Sequence, residues 1–98
     1  MYKDLITYEL AEKITEDHLI SIAKQIITDW MKKQSGFISW EINANSDDGY
    51  TDIVTWDSKE DAKIAEKEMA KIPNAMDWFA CYKEGSISSK NLTQLAVF

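Results

Sequence analysis

The stretch DIVTWDSKEDA, residues 52–62, carries the chain from a strand directly into a helix. Residues 50–57 are rich in β-branched and aromatic side chains, which are typical of strands. Residues 58–61 then resemble a capping box, which predicts that a helix begins there. A strand that ends at Trp56 and passes straight into a capped helix indicates an α+β domain.

Upstream of this stretch, the sequence predicts a strand and a long helix. Residues 3–10 alternate between two faces, with Ile6 and Tyr8 on the same side, which predicts the first strand. Residues 15–34 begin with a threonine cap and carry apolar side chains at spacings of three and four, which predicts the first helix. Gly36 is expected to end that helix.

A hairpin follows the first helix. Residues 36–43 predict the second strand, with Ile38, Trp40 and Ile42 on one face. The dipeptide Asp48-Gly49 is a strong hairpin signal, and it joins this strand to the third strand.

The remainder of the chain predicts a second helix and a last strand. Small and apolar residues mark the inner stripe of the helix, which ends at Pro73, and residues 87–97 suit a last strand. The order is β-α-β-β-α-β. It predicts one ferredoxin-like domain over residues 1–98, with a four-stranded antiparallel sheet and two helices on one of its faces.

Composition and charge exclude several classes of function. The net charge is −6, and all eleven cationic residues are lysines, which argues against nucleic acid and anionic membranes as partners. The one cysteine, Cys81, excludes an internal disulfide and a metal site of paired cysteines. No glycine-rich phosphate loop is present, and no cofactor or metal is expected. The first residues lack the basic and apolar regions of a signal peptide, so we expect a cytoplasmic location.

The predicted architecture leaves one face of the sheet without helices. The third strand carries apolar residues on both faces, with Val54 and Trp56 on one side and Ile53 on the other. A monomer would expose an apolar patch of several hundred Å², which soluble monomers rarely do. We therefore expect a homodimer that forms through the open sheet face.

Two residues are candidates for acid–base chemistry. Asp52 lies inside the third strand, where it is either a buried acid or base with a raised pKa or a solvated residue near the hairpin. His18 is the only histidine and lies in the first turn of the first helix. It could serve as a neutral base or ligand there, or it is simply a partly exposed helix residue.

Four aromatic side chains are candidates for binding a ligand. Trp40 and Trp56 lie on strands, Trp30 faces inward from the first helix, and Phe79 follows the second helix. A cluster of tryptophans can stack on a flat aromatic ligand, and it can equally form a core. The sequence alone leaves both interpretations open.

Two motifs carry a resemblance to a known family. GFISWE (residues 36–41) and DIVTWDSKEDA (residues 52–62) resemble the dimeric α/β-barrel superfamily, and most of all its antibiotic-biosynthesis-monooxygenase-like branch. The resemblance implies a homodimer in which two sheets pack face to face. It also implies a ligand site between the sheet and the helices of each monomer, lined by a tryptophan that Trp56 matches.

The resemblance also suggests what this chain lacks. Heme-degrading members use an asparagine on strand one and a histidine on helix two. In this chain strand one offers Thr7 and Tyr8 but no asparagine, and the place of the histidine falls near Glu66. Cofactor-free monooxygenase members oxidise polycyclic phenols in a cleft of Trp, Tyr, Asn and often Arg. This chain has Trp and Tyr but no Arg.

Two functions follow as hypotheses. In the first, the protein is a cofactor-independent monooxygenase or a related enzyme, with Trp56 stacking a small aromatic or apolar substrate and Tyr8, Asp52 or His18 orienting or deprotonating it. In the second, it is a non-enzymatic homodimer whose cleft either holds a small apolar ligand or is filled by side chains. A third possibility is a heme carrier with His18 as the ligand.

Overall fold

The computed structural model describes residues 1–98 as four strands, three helices and two 3₁₀ turns. The strands are β1 (Tyr2–Tyr8), β2 (Phe37–Ala44), β3 (Tyr50–Trp56) and β4 (Ser88–Thr93). The helices are α1 (Glu16–Asp29), α2 (Lys59–Glu68) and α3 (Ala75–Phe79), and the 3₁₀ turns span Met31–Lys33 and Met69–Lys71. No helix is both long enough and apolar enough to cross a membrane.

The strands form one antiparallel sheet in the order β2-β3-β1-β4. α1 lies in the connection from β1 to β2 and α2 in the connection from β3 to β4, so each central strand leads through a helix to an edge strand, as the ferredoxin-like topology requires. The predicted fold class is therefore confirmed. Tyr2, at the start of β1, pairs with Trp56, at the end of β3. The start of β1 therefore lies beside the point where the chain leaves β3 for α2.

A β-bulge near the start of β2 changes which side chains face the core. The register shifts between Phe37 and Ser39, because Ile38 is an extra residue on this strand. Phe37 therefore packs against the core, while Ile38 is 40% exposed. The prediction that Ile38 lies on the same face as Trp40 and Ile42 was wrong for this reason.

Several element boundaries also differ from the prediction. β1 spans Tyr2–Tyr8 rather than residues 3–10, and α2 ends at Glu68, followed by a 3₁₀ turn, rather than at Pro73. α1 ends at Asp29 rather than at residue 34, and the chain continues through the 3₁₀ turn. β4 ends at Thr93 rather than at residue 97, because Thr93 pairs with Tyr2, at the start of its neighbour β1. The chain beyond Thr93 has no further strand residue to pair with.

The predicted helix starts are confirmed by their caps. Thr15 Oγ1 accepts a hydrogen bond of 3.1 Å from the backbone N–H of His18, and Ser58 Oγ accepts one of 3.2 Å from that of Asp61. Such caps satisfy N–H groups that have no partner within the helix. Gly36 packs against the start of α2, where a Cβ would overlap the Asp61 carboxylate.

One apolar core lies between the sheet and the helices. α1 contributes the fully buried Leu19 and Ile26, and α2 contributes the small residues Ala62 and Ala65. Burial of each large aliphatic side chain stabilises the fold by about 1.5–3 kcal/mol. The alanines leave space above the sheet next to α2, which is where the candidate site lies.

Candidate functional site

A cavity of about 680 Å³ lies between the inner face of the sheet and the helices. Alternate residues of the central strands line it, because successive side chains of a strand point to opposite faces. On β1 these are Tyr2, Asp4 and Ile6, and on β3 they include Asp52 and Trp56. The cleft is thus an open space and is not filled by side chains.

Asp52 is a buried carboxyl in the wall of this cavity, with 2% of its surface exposed. The Tyr8 hydroxyl donates a hydrogen bond of 2.7 Å to Oδ1, and the Trp40 indole N–H donates one of 3.0 Å to Oδ2. Burial raises the pKa of Asp52, and the hydrogen bonds from Trp40 and Tyr8 oppose that rise. Asp52 is therefore a buried carboxyl with a raised pKa and not a solvated residue near the hairpin.

Tyr8 binds one oxygen of the Asp52 carboxyl, and Trp40 binds the other. Burial and the neighbouring Asp52 carboxylate both raise the pKa of Tyr8 strongly, so its hydroxyl keeps its proton and acts as a donor. Its ring contacts the edge of the Tyr82 ring at a centroid distance of 4.6 Å. Tyr8 therefore positions Asp52 and does not itself line the cavity.

Tyr82 and Trp78 complete this end of the cavity. The Trp78 indole N–H donates a hydrogen bond to the Tyr82 hydroxyl, and the Trp78 ring lies 5.6 Å from the ring of Trp40. The sequence analysis missed both residues as parts of the site. Tyr82 reaches it through a bridge to Leu10, a long-range pairing that leaves no local signal in the sequence.

Trp56 lines the cavity at the end near α2. Its side chain is 3% exposed, and its ring meets the Phe37 ring edge-on at 5.7 Å. The indole N–H is buried and has no hydrogen-bond partner in the protein. Asp4, on the same face of the neighbouring strand, also lines the cavity and was not singled out from the sequence.

Charged residues of α2 form part of the cavity wall. Lys59, Lys63 and Glu66 all line it and are exposed to solvent. On the opposite side, Asn91 of the exposed strand β4 lines it as well. The cavity is thus polar near solvent and aromatic where it reaches Asp52.

The structure brings most of the predicted site residues together, but not all. Trp30, Trp40, Trp56 and Asp52 line the cavity. His18 lies outside the cavity, because the buried stripe of α1 begins at the next residue and leaves His18 exposed.

Phe79 also lies outside the cavity. It is 46% exposed and stacks on Trp78 at a centroid distance of 5.3 Å. α3 has only five residues, and Trp78 is the one it buries, which leaves the next side chain at the surface. Phe79 therefore contacts Trp78, which lines the cavity, but does not line the cavity itself.

The residues present do not fit a heme held by histidine. No histidine lines the cavity, whereas Glu66 of α2 does. His18, the only histidine, is on the exposed side of α1. The arrangement instead offers one buried carboxyl with two donors, surrounded by aromatic rings.

Solved structures with the same fold include two oxygenases. A variant of SnoaB, a cofactor-independent oxygenase from Streptomyces nogalater, matches with a TM-score of 0.76 and 13% identity over 98% of this chain and 94% of its own. The monooxygenase from the gene ActVA-Orf6 of Streptomyces coelicolor, in complex with nanaomycin D, matches with a TM-score of 0.74 and 16% identity over 99% of this chain and 89% of its own.

A dimeric ferredoxin-like protein of unknown function from Jannaschia sp. CCS1 matches with a TM-score of 0.66 and 17% identity over 95% of this chain and 98% of its own. No protein-family model and no curated protein matches the sequence. At these identities the likeness shows the fold, and it confirms that the chain folds as antibiotic-biosynthesis-monooxygenase-like proteins do.

Proposed function

We propose that this protein is a cofactor-independent monooxygenase that oxidises a small phenolic aromatic substrate in the cavity between sheet and helices. The observation that carries the proposal is Asp52, a buried carboxyl in the cavity wall with donors on both of its oxygens. A carboxyl in such an environment is a candidate general base.

The chemistry requires no electrons from outside the substrate. Asp52 takes the proton of the phenolic hydroxyl, and the electron-rich phenolate reacts with O₂ at a ring carbon. One oxygen atom stays on the ring as a carbonyl and the other leaves as water, so a phenol and O₂ give a quinone and water. The raised pKa of Asp52 makes it a stronger base than an exposed carboxylate once it is ionised.

The aromatic walls would hold the substrate ring. Trp40 of β2, Trp56 of β3 and Trp30, directly after α1, all line the cavity, so a flat ligand meets aromatic surface on several sides. Aromatic pairs of this kind contribute about 0.5–1.5 kcal/mol each beyond the burial of their area.

The comparisons support the proposal at the level of the fold. SnoaB is described as a cofactor-independent oxygenase, and the ActVA-Orf6 protein is described as a monooxygenase with nanaomycin D bound. The proposed class of substrate rests on the aromatic lining and the buried carboxyl of this chain's own cavity.

Oxygen uptake tests the proposal. A panel of phenols and naphthols is supplied to the protein in an oxygen-electrode cell, and quinone formation is followed by absorbance. The Asp52→Asn variant keeps the shape of the site and is expected to lose about 100-fold or more in kcat/KM. Asp47→Asn, in the exposed hairpin loop, is the matched control and is expected to keep full activity.

The alternative is a binding module without turnover. Tight binding of a naphthol with no oxygen uptake in the whole panel would establish that alternative and overturn the enzyme. Equal activity in wild type and Asp52→Asn would leave an enzyme but remove Asp52 as its base.

We also propose that two copies of the chain pack through the open face of the sheet. That face carries Leu5 and Ile53 from the central strands and Leu92 from β4. Leu92 is 42% exposed. A second copy would bury this apolar surface from both chains at once. The Jannaschia protein of the same fold is described as dimeric, which supports the proposal.

A further inference from the structure

The Tyr82 hydroxyl carries a proton that no group of the protein accepts. Tyr82 lines the cavity, and the Trp78 indole N–H donates a hydrogen bond to its oxygen. A phenolic hydroxyl both accepts and donates, but Tyr82 takes part in this bond only as the acceptor. An oxygen brought into the cavity can therefore accept a hydrogen bond from Tyr82 without displacing a bond within the protein.

Tyr82 lies close to the buried carboxyl of Asp52. Its ring meets the Tyr8 ring edge-on at a centroid distance of 4.6 Å, and the Tyr8 hydroxyl is bonded to Asp52. The charge of Asp52 also acts on the Tyr82 hydroxyl, which it does only at short range. Tyr82 and Asp52 are thus neighbours in one wall of the cavity, although they do not bond to each other.

Backbone hydrogen bonds fix Tyr82 in this position. Tyr82 forms a bridge with Leu10, just beyond the end of β1. On either side of it, the Ala11 N–H donates a bond of 2.8 Å to the Cys81 carbonyl, and the Lys83 N–H donates one of 2.9 Å to the Glu9 carbonyl. The bond from Trp78 then holds the hydroxyl itself. A donor that is fixed before a ligand arrives needs no rearrangement to bind it.

The surroundings of Tyr82 keep it a donor and not a base. Burial and the charge of Asp52 raise its pKa well above the usual value, and the bond from Trp78 opposes that rise. The hydroxyl therefore keeps its proton at neutral pH. Because Trp78 donates to the Tyr82 oxygen, it also makes the hydroxyl a stronger hydrogen-bond donor. Asp52 and Tyr82 thus offer complementary groups, one that accepts a proton and one that only donates a hydrogen bond.

We propose that Tyr82, oriented by Trp78, donates a hydrogen bond to the ligand oxygen that Asp52 deprotonates, and so stabilises the negative charge that forms there. The O–H bond of the ligand breaks, an O–H bond forms on Asp52, and the electron pair stays on the ligand oxygen. Tyr82 keeps its own proton throughout. Fixed donors of this kind are most effective where charge develops during a reaction. The inference rests on the proposed function for the role of Asp52, but the donor can be tested without any turnover.

Absorbance of bound 4-nitrophenol tests the donor, because the ionised and neutral forms of this probe have different spectra. Tyr82→Phe removes the hydroxyl and keeps the ring. At saturating protein and fixed pH, we expect the ratio of ionised to neutral bound probe to fall about tenfold, since a hydrogen bond to a charged oxygen is lost. Trp78→Phe keeps Tyr82 but frees its hydroxyl, and should lower the ratio about threefold. Tyr50→Phe, whose hydroxyl bonds to the exposed Glu16, is the control and should keep the wild-type ratio.

The outcomes separate this inference from the proposed function. A ratio in Tyr82→Phe within about twofold of wild type would overturn the donor, as would a wild type that binds only the neutral probe. Circular dichroism melting establishes that each variant is folded, and if Tyr82→Phe is not, an unchanged ratio in folded Trp78→Phe overturns the donor instead. The expected fall, without oxygen uptake by wild type on the panel of phenols, would support the donor while the monooxygenase proposal fails. Oxygen uptake that depends on Asp52, with an unchanged ratio in Tyr82→Phe, would do the reverse.

Discussion

Tyr8 donates a hydrogen bond of 2.7 Å to Asp52, although the two residues lie 44 positions apart in the chain. Both are buried, with 3% and 2% of their surfaces exposed. They are diagonal neighbours on the central strand pair, because Tyr8 pairs with Tyr50 and Asp52 pairs with Ile6. The hydrogen bond therefore depends on the register of β1 against β3. It links the pairing of these two strands to the protonation state of the Asp52 carboxyl.

Removal of this hydroxyl should destabilise the protein. Tyr8→Phe leaves one oxygen of a buried carboxyl without its donor, and we expect the free energy of unfolding to fall by about 1.5–3 kcal/mol. The pKa of Asp52 should rise further, because the Tyr8 hydroxyl holds it down. Urea unfolding and carbon-13 titration of the carboxyl measure the two effects. Tyr50→Phe removes a hydroxyl bonded to the exposed Glu16 and should cost less than about 1 kcal/mol.

The stability of the protein should depend on pH through Asp52. Burial raises its folded-state pKa above the ordinary value of 3.8, so the folded chain holds this proton to higher pH than the unfolded chain does. Its contribution to stability is therefore complete below 3.8 and is lost as the pH rises through the folded-state pKa. Asp52→Asn should lose less stability than wild type between pH 4 and pH 7. Parallel urea curves for the two proteins across this range would contradict the prediction.

The two glycines Gly36 and Gly85 should respond differently to the same substitution. Both have positive φ angles, of 77° and 80°, so alanine at either position costs about 1–2 kcal/mol in backbone strain. At Gly36 the added Cβ also overlaps the Asp61 carboxylate, whereas at Gly85 it meets no atom within 4 Å. We expect Gly36→Ala to lose about 1–3 kcal/mol more than Gly85→Ala, as measured by chemical denaturation. Equal losses would mean that the start of α2 moves aside without cost.

Disruption of the open sheet face should separate the two copies. Sedimentation at micromolar concentration is expected to give twice the chain mass for wild type and the single chain mass for Ile53→Lys. An unpaired lysine buried in that interface costs about 3 kcal/mol or more, which is more than about 100-fold in dissociation constant. Ile64→Lys, on the exposed side of α2, should leave the mass unchanged. A wild-type protein with the single chain mass would refute the dimer.

Most of the fold could be predicted from local patterns. The alternation in β1, the caps at Thr15 and Ser58, and the Asp48-Gly49 turn all act within a few residues of the chain, and each is confirmed by the structure. The bulge at Ile38 could not be predicted, since it depends on how β2 pairs with β3. The end of β4 was missed for the same reason, because its length is limited by the start of β1.

The candidate site also has features that local sequence determines and features that depend on tertiary structure. The sequence by itself determined that Asp52 and Trp56 share one face of β3, because successive side chains of a strand alternate between its two faces. Only the tertiary structure decided that Asp52 is buried and held by Tyr8 and Trp40, and that the cavity is open. The physical reason is that burial and hydrogen bonding are properties of neighbours in space. Strand register and helix packing, which bring those neighbours together, act between segments far apart in the chain.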